Sequence, residues 1–288
     1  MKEDAISKIR NGMDGFSKGQ RSIARYILEN SSKAAYMTAV KLGNISHVSE
    51  STVVRFATEL GYEGYPHFQR ALRESIRNKL NAVQRLELTE EHVGAEETLE
   101  TVLNSDIDCI RRTMEQIDKN AFEKAVETIV NAEHIYVIGV RSASSLATFL
   151  SFYLNLLFHH VKLIQGITAG EVYEEVLRVG PKDVIIGLSF PRYSNRTINV
   201  LKYAKSQGAT VIGITDSVHS PIHALADCTL ICSTGMTSVV DSLVAPLSVI
   251  NALIVSLCLN KKDELYTTFD RLEKLWESNG VYQVHDES

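Results

Sequence analysis

The feature that most limits the possible folds is a series of short, continuously apolar segments in the second half of the chain. From residue 134 onward, IYVIGV, VKLI, DVIIGLS, TVIGIT and CTLICS alternate with segments of helical periodicity. Strands that are buried on both faces have such compositions, and strands separated by helices pair in parallel. The sequence therefore predicts an α/β domain with a parallel sheet of four or five strands flanked by helices and joined by right-handed crossovers.

The 288 residues suggest two domains, and the hydrophobic fraction of 44% is enough for well-packed cores. Residues 1–80 carry 13 Lys and Arg against 8 Asp and Glu, whereas residues 81–288 carry 17 against 27. This distribution fits a nucleic-acid contact confined to the N-terminal part, although ordinary scatter of charge would also produce it. We predict an all-α domain at 1–80, a polar, partly helical linker at 81–105, the α/β domain at 106–265 and a C-terminal tail at 266–288.

The composition argues against a membrane or secreted protein. The first residues are charged and lack the apolar core of a signal peptide, and no uncharged run reaches the ~18 residues of a membrane span. Four cysteines without zinc-site spacing are expected to be free thiols in the cytoplasm: Cys109, Cys228, Cys232 and Cys258. We expect no cofactor, no metal and no membrane partner.

The N-terminal part reads as a bundle of short helices over residues 17–30, 38–45, 49–60 and 68–80. Ser17 is a suitable N-cap for the first of them. The stretch GNISHVSESTVVRFATELGYEGYPHF, residues 43–68, predicts two helices joined by a tight connection. Ser49 is expected to cap the second helix with its hydroxyl, and Gly61 to end it in a left-handed conformation.

The helix at 49–60 has two different faces. On a helical wheel the inner side holds Val53, Phe56, Ala57 and Leu60, and the outer side holds Ser51, Val54, Arg55 and Thr58. A packed inner face with a small, polar, once-cationic outer face suits the major groove of DNA. The alternative is a solvated helix of a small bundle.

The same stretch resembles a known family. Val48-Ser49, Thr52-Val53, Arg55-Phe56, Leu60-Gly61-Tyr62 and Gly64 match the helix-turn-helix signature of the RpiR/MurR transcriptional regulators at fixed spacing. The resemblance implies that the helix after Val48-Ser49 is the recognition helix. We then expect Arg55 to contact phosphates and Ser51, Thr52 and Val54 to face base edges. The expected DNA-binding residues are Ser49, Ser51, Thr52, Val54, Arg55 and Thr58.

Other side chains near this helix allow two interpretations. Tyr62, Tyr65 and Phe68 are expected to pack the following turn against the bundle rather than to touch nucleic acid. The arginines at 70, 73 and 77 either contact phosphates or lie on an ordinary solvated face.

Hydroxyl-rich loops follow two of the predicted strands. GVRSAS (139–144) and SFPRYSNRT (189–197) place hydroxyls and free backbone N–H groups at helix starts, which suits phosphate. This arrangement resembles the SIS sugar isomerase domain, which implies a phosphorylated or acidic sugar as effector. The expected effector-binding residues are Arg141, Ser142, Ser144, Ser189, Arg192, Ser194 and Thr197.

The two loops depart from the usual SIS pattern. Where that pattern has Gly-x-Gly-x-Ser, Arg141 replaces the second glycine and Ala143 the serine. Where it has Ser-x-Ser-Gly-x-Thr, Pro191 and Arg192 replace the central Ser-Gly. One hypothesis is that Arg141 and Arg192 face one anionic group, such as a carboxylate beside or instead of phosphate. The alternative is that each arginine pairs with a local acid.

The resemblance implies a transcriptional regulator, most commonly a repressor, that binds an operator in double-stranded DNA as a homodimer or homotetramer. Its runner-up is an SIS-type sugar-phosphate isomerase with an accessory helical domain, for which Glu171, Glu174 and Glu175 would be acid/base candidates. A structural DNA binder without a ligand is a third class. His219 and His223 would approach a metal only if their segment were helical. We expect no enzymatic activity.

Overall fold

The computed structural model describes residues 4–77, 80–92, 98–236 and 240–282. Two compact units are present: unit 1 comprises Met1–Asp108 with Gly235–Ser242, and unit 2 comprises Cys109–Thr234 with Leu243–Ser288. The linker predicted at 81–105 contains helical residues, as expected. The division of the chain into domains at residues 80 and 105 stays a prediction.

Unit 1 is all-α within its described residues. Its helices are α1 Ala5–Gly12, α2 Lys18–Glu29, α3 Ser31–Ala34, α4 Ala39–Ile45, α5 Glu50–Glu59, α6 Tyr65–Arg77, α7 Ala82–His92 and the first part of α8 Thr98–Gln116. The apolar faces of α1 to α6 meet in one core, whose fully buried members include Ile9, Ile23, Ile27, Leu42, Phe56, Phe68 and Leu72. The predicted bundle is confirmed.

Local signals explain where these helices begin. Ser17 and Gln20 form a reciprocal capping box at the start of α2. The Thr38 hydroxyl accepts the Lys41 amide at the start of α4. Helix α6 begins at Tyr65, three residues before the predicted start, because Pro66 is tolerated in a first helical turn.

Unit 2 is built on a five-stranded parallel sheet of order β2-β1-β3-β4-β5. The strands are β1 Ile135–Gly139, β2 Val161–Leu163, β3 Val184–Leu188, β4 Thr210–Thr215 and β5 Cys228–Ile231. The remaining helices are α9 Lys119–Val130, α10 Ala143–Leu157, α11 Ala169–Val176, α12 Asn195–Ser206, α13 Val244–Asn260 and α14 Lys262–Ser278. Each apolar run predicted as a strand is a strand.

Helices cover both faces of the sheet, which explains the continuous apolar runs. One face packs on α9, α10 and α13, through residues such as Val137, Ile186 and Leu150. The other packs on α11 and α12, through residues such as Ile138 and Leu201. All five residues of β1 and of β3 are buried, as expected for strands buried on both sides.

One smaller expectation changed. Residues 221–225 form successive turns, and α13 begins at Val244. Much of the predicted tail belongs to α14.

All four cysteines are free thiols, and burial raises the pKa of Cys228 and Cys232. Within the described ranges no single helix is long and apolar enough to cross a membrane, and α13 with residues 264–278 meets those criteria only as a pair bent by 105°.

Candidate functional site

A helix-turn-helix is formed by α4, α5 and the residues between them. His47 holds a left-handed conformation (φ 56°) in the turn, and the Val48 amide donates to the Gly43 carbonyl at 2.9 Å. A Cβ on Gly43 would lie 2.9 Å from the Val48 carbonyl oxygen, so only glycine permits this approach. Ser22 of α2 donates to the Ser46 carbonyl at 2.9 Å. These contacts fix the direction of α5.

The two predicted faces of α5 are confirmed. Val53, Phe56 and Ala57 are fully buried. The residues exposed on the opposite side are Ser51, Val54, Arg55 and Thr58, while Thr52 is half-buried. Helix α5 therefore presents a mostly polar surface, with Val54 as its apolar member and Arg55 as its cationic member. DNA contact stays a prediction for each of the six residues named from the sequence: Ser49, Ser51, Thr52, Val54, Arg55 and Thr58.

The ends of α5 agree with the sequence in one respect and differ in another. Gly61 is left-handed (φ 85°), as predicted. Ser49 has the backbone conformation of an N-cap, but its hydroxyl makes no capping bond. It lies instead 2.8 Å from the Ser51 hydroxyl and 2.9 Å from the Thr52 hydroxyl. The expected cap is therefore wrong, because neighbouring hydroxyls compete for the same oxygen.

The aromatic residues after α5 pack into the bundle, as favoured from the sequence. Phe68 lies edge-on to Phe56 (5.9 Å between ring centroids) and to Tyr62 (5.4 Å). The buried Tyr65 hydroxyl donates to the Met37 carbonyl at 2.7 Å, and burial raises the pKa of Tyr65 to about 12. These rings hold α5 against α6.

Arg73, one of the three arginines considered for phosphate contacts, is part of the bundle instead. Its Nε donates to the Ala35 carbonyl at 2.9 Å, and its guanidinium lies 4.8 Å from the centre of the Tyr36 ring. Partial burial lowers the pKa of Arg73. Arg70 is exposed, whereas the side chain of the residue at 77 lies outside the described residues.

A cavity of about 210 Å³ lies at the carboxyl ends of β1 and β2. Parallel sheets usually bind ligands at this edge. It is lined by Ile138, Gly139, Val140, Arg141, Ser144, Thr148, Leu163, Ile164, Gln165, Gly166, Val172 and Arg196. Two guanidiniums and several hydroxyl or amide groups therefore converge on one concave surface, which suits a small anionic, hydroxylated ligand.

Arg141 occupies the strained position of this cavity. Its φ of 61° lies in the left-handed region, where glycine is favoured and a long side chain is uncommon. The amide and hydroxyl of Ser144 both donate to the Arg141 carbonyl, at 3.0 and 2.6 Å, as α10 begins. Strain kept at a concave, exposed arginine is typical of a functional position.

Arg196 and two glutamates hold the loop that closes the other side of the cavity. The Arg196 guanidinium donates to the carbonyls of Gly166 and Ile167 at 3.0 and 2.7 Å. Glu175 accepts the amides of residues 165 and 166. Glu171 accepts the amides of Ile167 and the following residue, and these bonds lower the pKa of Glu171. The loop is therefore braced through both its carbonyls and its amides.

The second predicted loop, after β3, is organised around Ser189. This buried hydroxyl accepts the Ser194 amide at 3.1 Å, and the Ser189 carbonyl accepts the Thr215 hydroxyl at 2.8 Å. Arg192 is exposed, and Thr197 is fully buried with no hydrogen-bond partner for its hydroxyl among the described residues. Ser189 thus shapes the start of α12.

Of the seven predicted effector residues, the cavity contains Arg141 and Ser144. The structure adds Thr148, Gln165, Gly166 and Arg196, and effector contacts by Ser142, Ser189, Arg192, Ser194 and Thr197 stay predictions. Arg196 was within the loop quoted from the sequence, but nothing in its spacing shows that its guanidinium reaches the loop after β2. The segment with His219 and His223 is not helical, which removes the condition set for a metal there.

Comparison with known proteins follows the same division of the chain. Residues 4–79 match the family model described as "Helix-turn-helix domain, rpiR family", and residues 128–256 match the SIS domain model. An uncharacterised HTH-type transcriptional regulator of Clostridium perfringens is 25% identical over 224 residues, which are 77% of this chain and 79% of the relative.

Two solved structures have the same folds. The sugar isomerase domain of the RpiR transcription factor of Sphaerobacter thermophilus is 26% identical, with a TM-score of 0.59 over 62% of this chain and 99% of that one. NanR of Vibrio vulnificus, solved in complex with ManNAc-6P, is 23% identical, with a TM-score of 0.56 over 96% of this chain and 98% of that one.

Proposed function

Because the chain belongs to the rpiR family of helix-turn-helix transcriptional regulators, we propose that α5 reads an operator and that the cavity beside Arg141 and Arg196 binds the controlling sugar phosphate. The protein is a sugar-phosphate-responsive transcriptional regulator. Two observations carry the assignment of the sites: unit 1 contains an exposed, mostly polar helix face, and unit 2 contains an anion-complementary cavity.

DNA recognition is proposed to use the exposed face of α5. Ser51 and Thr52 offer hydroxyls to base edges, Val54 offers a methyl group to a thymine, and Arg55 offers a charge to a phosphate. A homodimer would place two such helices in successive major grooves of a palindromic operator. We propose repression as the mode of control, acting on genes of carbohydrate metabolism in the cytoplasm.

The effector is proposed to be a phosphorylated sugar or a phosphorylated sugar acid. NanR binds a sugar phosphate, ManNAc-6P, on the same fold. In this chain the Arg141 guanidinium offers a charged, forked donor to phosphate or carboxylate oxygens, and Arg196, whose guanidinium braces the loop carbonyls, adds a second positive charge. Ser144, Thr148 and Gln165 offer groups to sugar hydroxyls. Effector binding that favours one arrangement of two subunits would change the spacing of their α5 helices.

The isomerase alternative has less support from the side chains. Proton transfer by a carboxyl group at neutral pH is most efficient when its pKa is raised toward 7. Glu171 has the opposite shift, since backbone amides stabilise its ionised form, and Glu175 also caps the loop. Turnover assays with hexose and pentose phosphates test this alternative directly: rapid isomerisation would replace the regulatory assignment.

The test of DNA reading compares two variants with the same change in net charge. Operator duplexes are first selected from a random pool with the wild-type protein. Arg55→Ala is expected to weaken operator binding and to reduce the salt dependence of the affinity by about one phosphate contact. Arg271→Ala, an exposed arginine on α14, is the matched control and should leave both unchanged. Equal behaviour of the two variants would contradict the role of α5.

A further inference from the structure

The opposite edge of the sheet carries a row of polar residues that the regulatory function does not use. His160, His134 and Asp183 each stand directly before a strand, namely β2, β1 and β3, which are neighbours in the sheet. The register pairs Ile135 with both Val161 and Val184. The three preceding residues therefore lie side by side at the amino ends of the strands.

Backbone hydrogen bonds keep this row in place. The Ile135 amide donates to the His160 carbonyl at 2.8 Å, and the Val184 amide donates to the His134 carbonyl at 3.0 Å. The backbone positions of His134, His160 and Asp183 are thus set by strand pairing.

Asp183 fixes the orientation and tautomer of the central histidine. Its side chain is 7% exposed; one carboxylate oxygen accepts the Gly180 amide at 2.8 Å, and the other lies 2.8 Å from Nδ1 of His134. A proton on Nδ1 that is donated to Asp183 leaves the lone pair of Nε2 available. Metal-binding histidines are commonly held by a carboxylate in this way.

A second imidazole lies at the distance that a shared metal requires. The ring centroids of His134 and His160 are 5.2 Å apart, with an angle of 47° between the ring planes. Two imidazoles bound to tetrahedral zinc through Zn–N bonds of about 2.0–2.1 Å have centroids about 5 Å apart. The separation of the two rings therefore matches that of two imidazoles on one ion.

Glu133 lies next to His134 on the side of Asp183. Glu133, His134 and Asp183 offer ligand atoms that all lie within 4.8 Å of one another, and a turn of the exposed Glu133 side chain would bring its carboxylate toward the two imidazoles. Glu133 also pairs with Lys182 at 2.8 Å, but these side chains are 57% and 75% exposed. Such an exposed ion pair contributes little, so the carboxylate can turn to a cation while the ammonium stays in water.

We propose that His134, His160 and Glu133 bind a divalent transition metal ion of the zinc class, with Asp183 as the positioning residue that orients His134. Imidazole nitrogen together with one carboxylate favours zinc over magnesium or calcium. A water molecule would complete the tetrahedron. The site lies at the amino ends of the strands, about 16 Å along the five residues of β1 from the cavity at their carboxyl ends.

The experiment uses full-length protein without an affinity tag and Co²⁺ as a spectroscopic substitute for Zn²⁺. The wild type is expected to bind one Co²⁺ with the visible absorption of tetrahedral coordination, and Zn²⁺ should abolish this absorption by displacement. His134→Ala and His160→Ala should each lose it. Asp183→Asn should weaken metal binding by roughly 10- to 100-fold without removing a ligand.

The paired variant His219→Ala/His223→Ala removes two exposed histidines from another loop of unit 2, one more than either test variant, and should still bind Co²⁺ like the wild type. Sugar-phosphate affinity should be equal with and without Zn²⁺, so failure of the metal proposal is distinct from failure of the proposed function. Absence of the tetrahedral absorption in the wild type, or its full retention after either His134→Ala or His160→Ala, would overturn the proposal.

Discussion

Replacing Arg141 by glycine and by alanine separates the strain at this position from its proposed role in binding. A non-glycine residue in the left-handed region costs about 1–2 kcal/mol. Glycine loses this cost but adds roughly 0.5–1 kcal/mol of backbone entropy on folding. With φ at 61°, Arg141→Gly should therefore stabilise unit 2 by up to about 1 kcal/mol, whereas Arg141→Ala keeps the strain.

Both variants remove the guanidinium from the cavity. Loss of a hydrogen bond to a charged group costs about 1.5–3 kcal/mol, which corresponds to roughly a 10- to 150-fold weaker affinity for a sugar phosphate. Affinity would be measured by calorimetry with ManNAc-6P and with hexose phosphates and sugar acid phosphates as probes. Stability would be measured by thermal unfolding, where 1 kcal/mol moves the Tm of a domain of this size by about 2–4 °C.

The stability measurement tests the backbone strain at Arg141, and the affinity measurement tests its contact with the effector. If Arg141→Gly is no more stable than Arg141→Ala, the left-handed conformation is not strained. If a sugar phosphate that binds the wild type binds both variants equally well, Arg141 does not take part in effector binding. The expected pattern is a higher Tm for the glycine variant alone and weaker binding for both.

Three further changes test other parts of the structure. Gly61→Ala, at φ 85°, should lower the free energy of unfolding of unit 1 by about 1–2 kcal/mol. Gly15→Ala, at a position without a left-handed φ, is the control and should change that free energy by less than about 0.5 kcal/mol, as measured by urea unfolding. The pKa of Tyr65 is about 12 in the folded protein against an ordinary 10.0, so its contribution to stability is complete below pH 10.0 and is lost between pH 10.0 and about 12. Tyr65→Phe should remove that part of the pH dependence and should cost about 1 kcal/mol at neutral pH through the lost hydrogen bond to Met37. An unchanged pH profile of stability in Tyr65→Phe would contradict this reasoning. Arg196→Ala should release the loop at 166–167, with faster amide exchange there and about tenfold weaker sugar-phosphate binding; unaltered exchange would show that the guanidinium does not brace the loop.

Much of the fold follows from the periodicity of the sequence. The continuous apolar runs predicted the parallel sheet because strands covered by helices on both faces have no solvent-exposed face that would require polar residues. Gly61 and the capping residue Ser17 predicted helix ends for local reasons, since each acts within one helical turn.

The details that escaped prediction depend on contacts between distant segments. Arg73 reads as one of several exposed arginines until α6 packs beside Ala35 and Tyr36. Arg196 reaches carbonyls about thirty positions away in the sequence, at Gly166 and Ile167. Ser49 looks like an ordinary cap, but its choice among nearby hydroxyls depends on side-chain rotamers that sequence spacing does not determine.

The central claim, that a sugar phosphate bound in unit 2 controls DNA reading by α5, is tested most directly by measuring the Kd for the selected operator over a titration of an effector that binds the wild type. A coupling of about 1–3 kcal/mol predicts a change of roughly 5- to 150-fold in operator Kd, and its absence in Arg141→Ala at the same effector concentration. An operator Kd that stays constant in the wild type while the effector saturates unit 2 would contradict the claim.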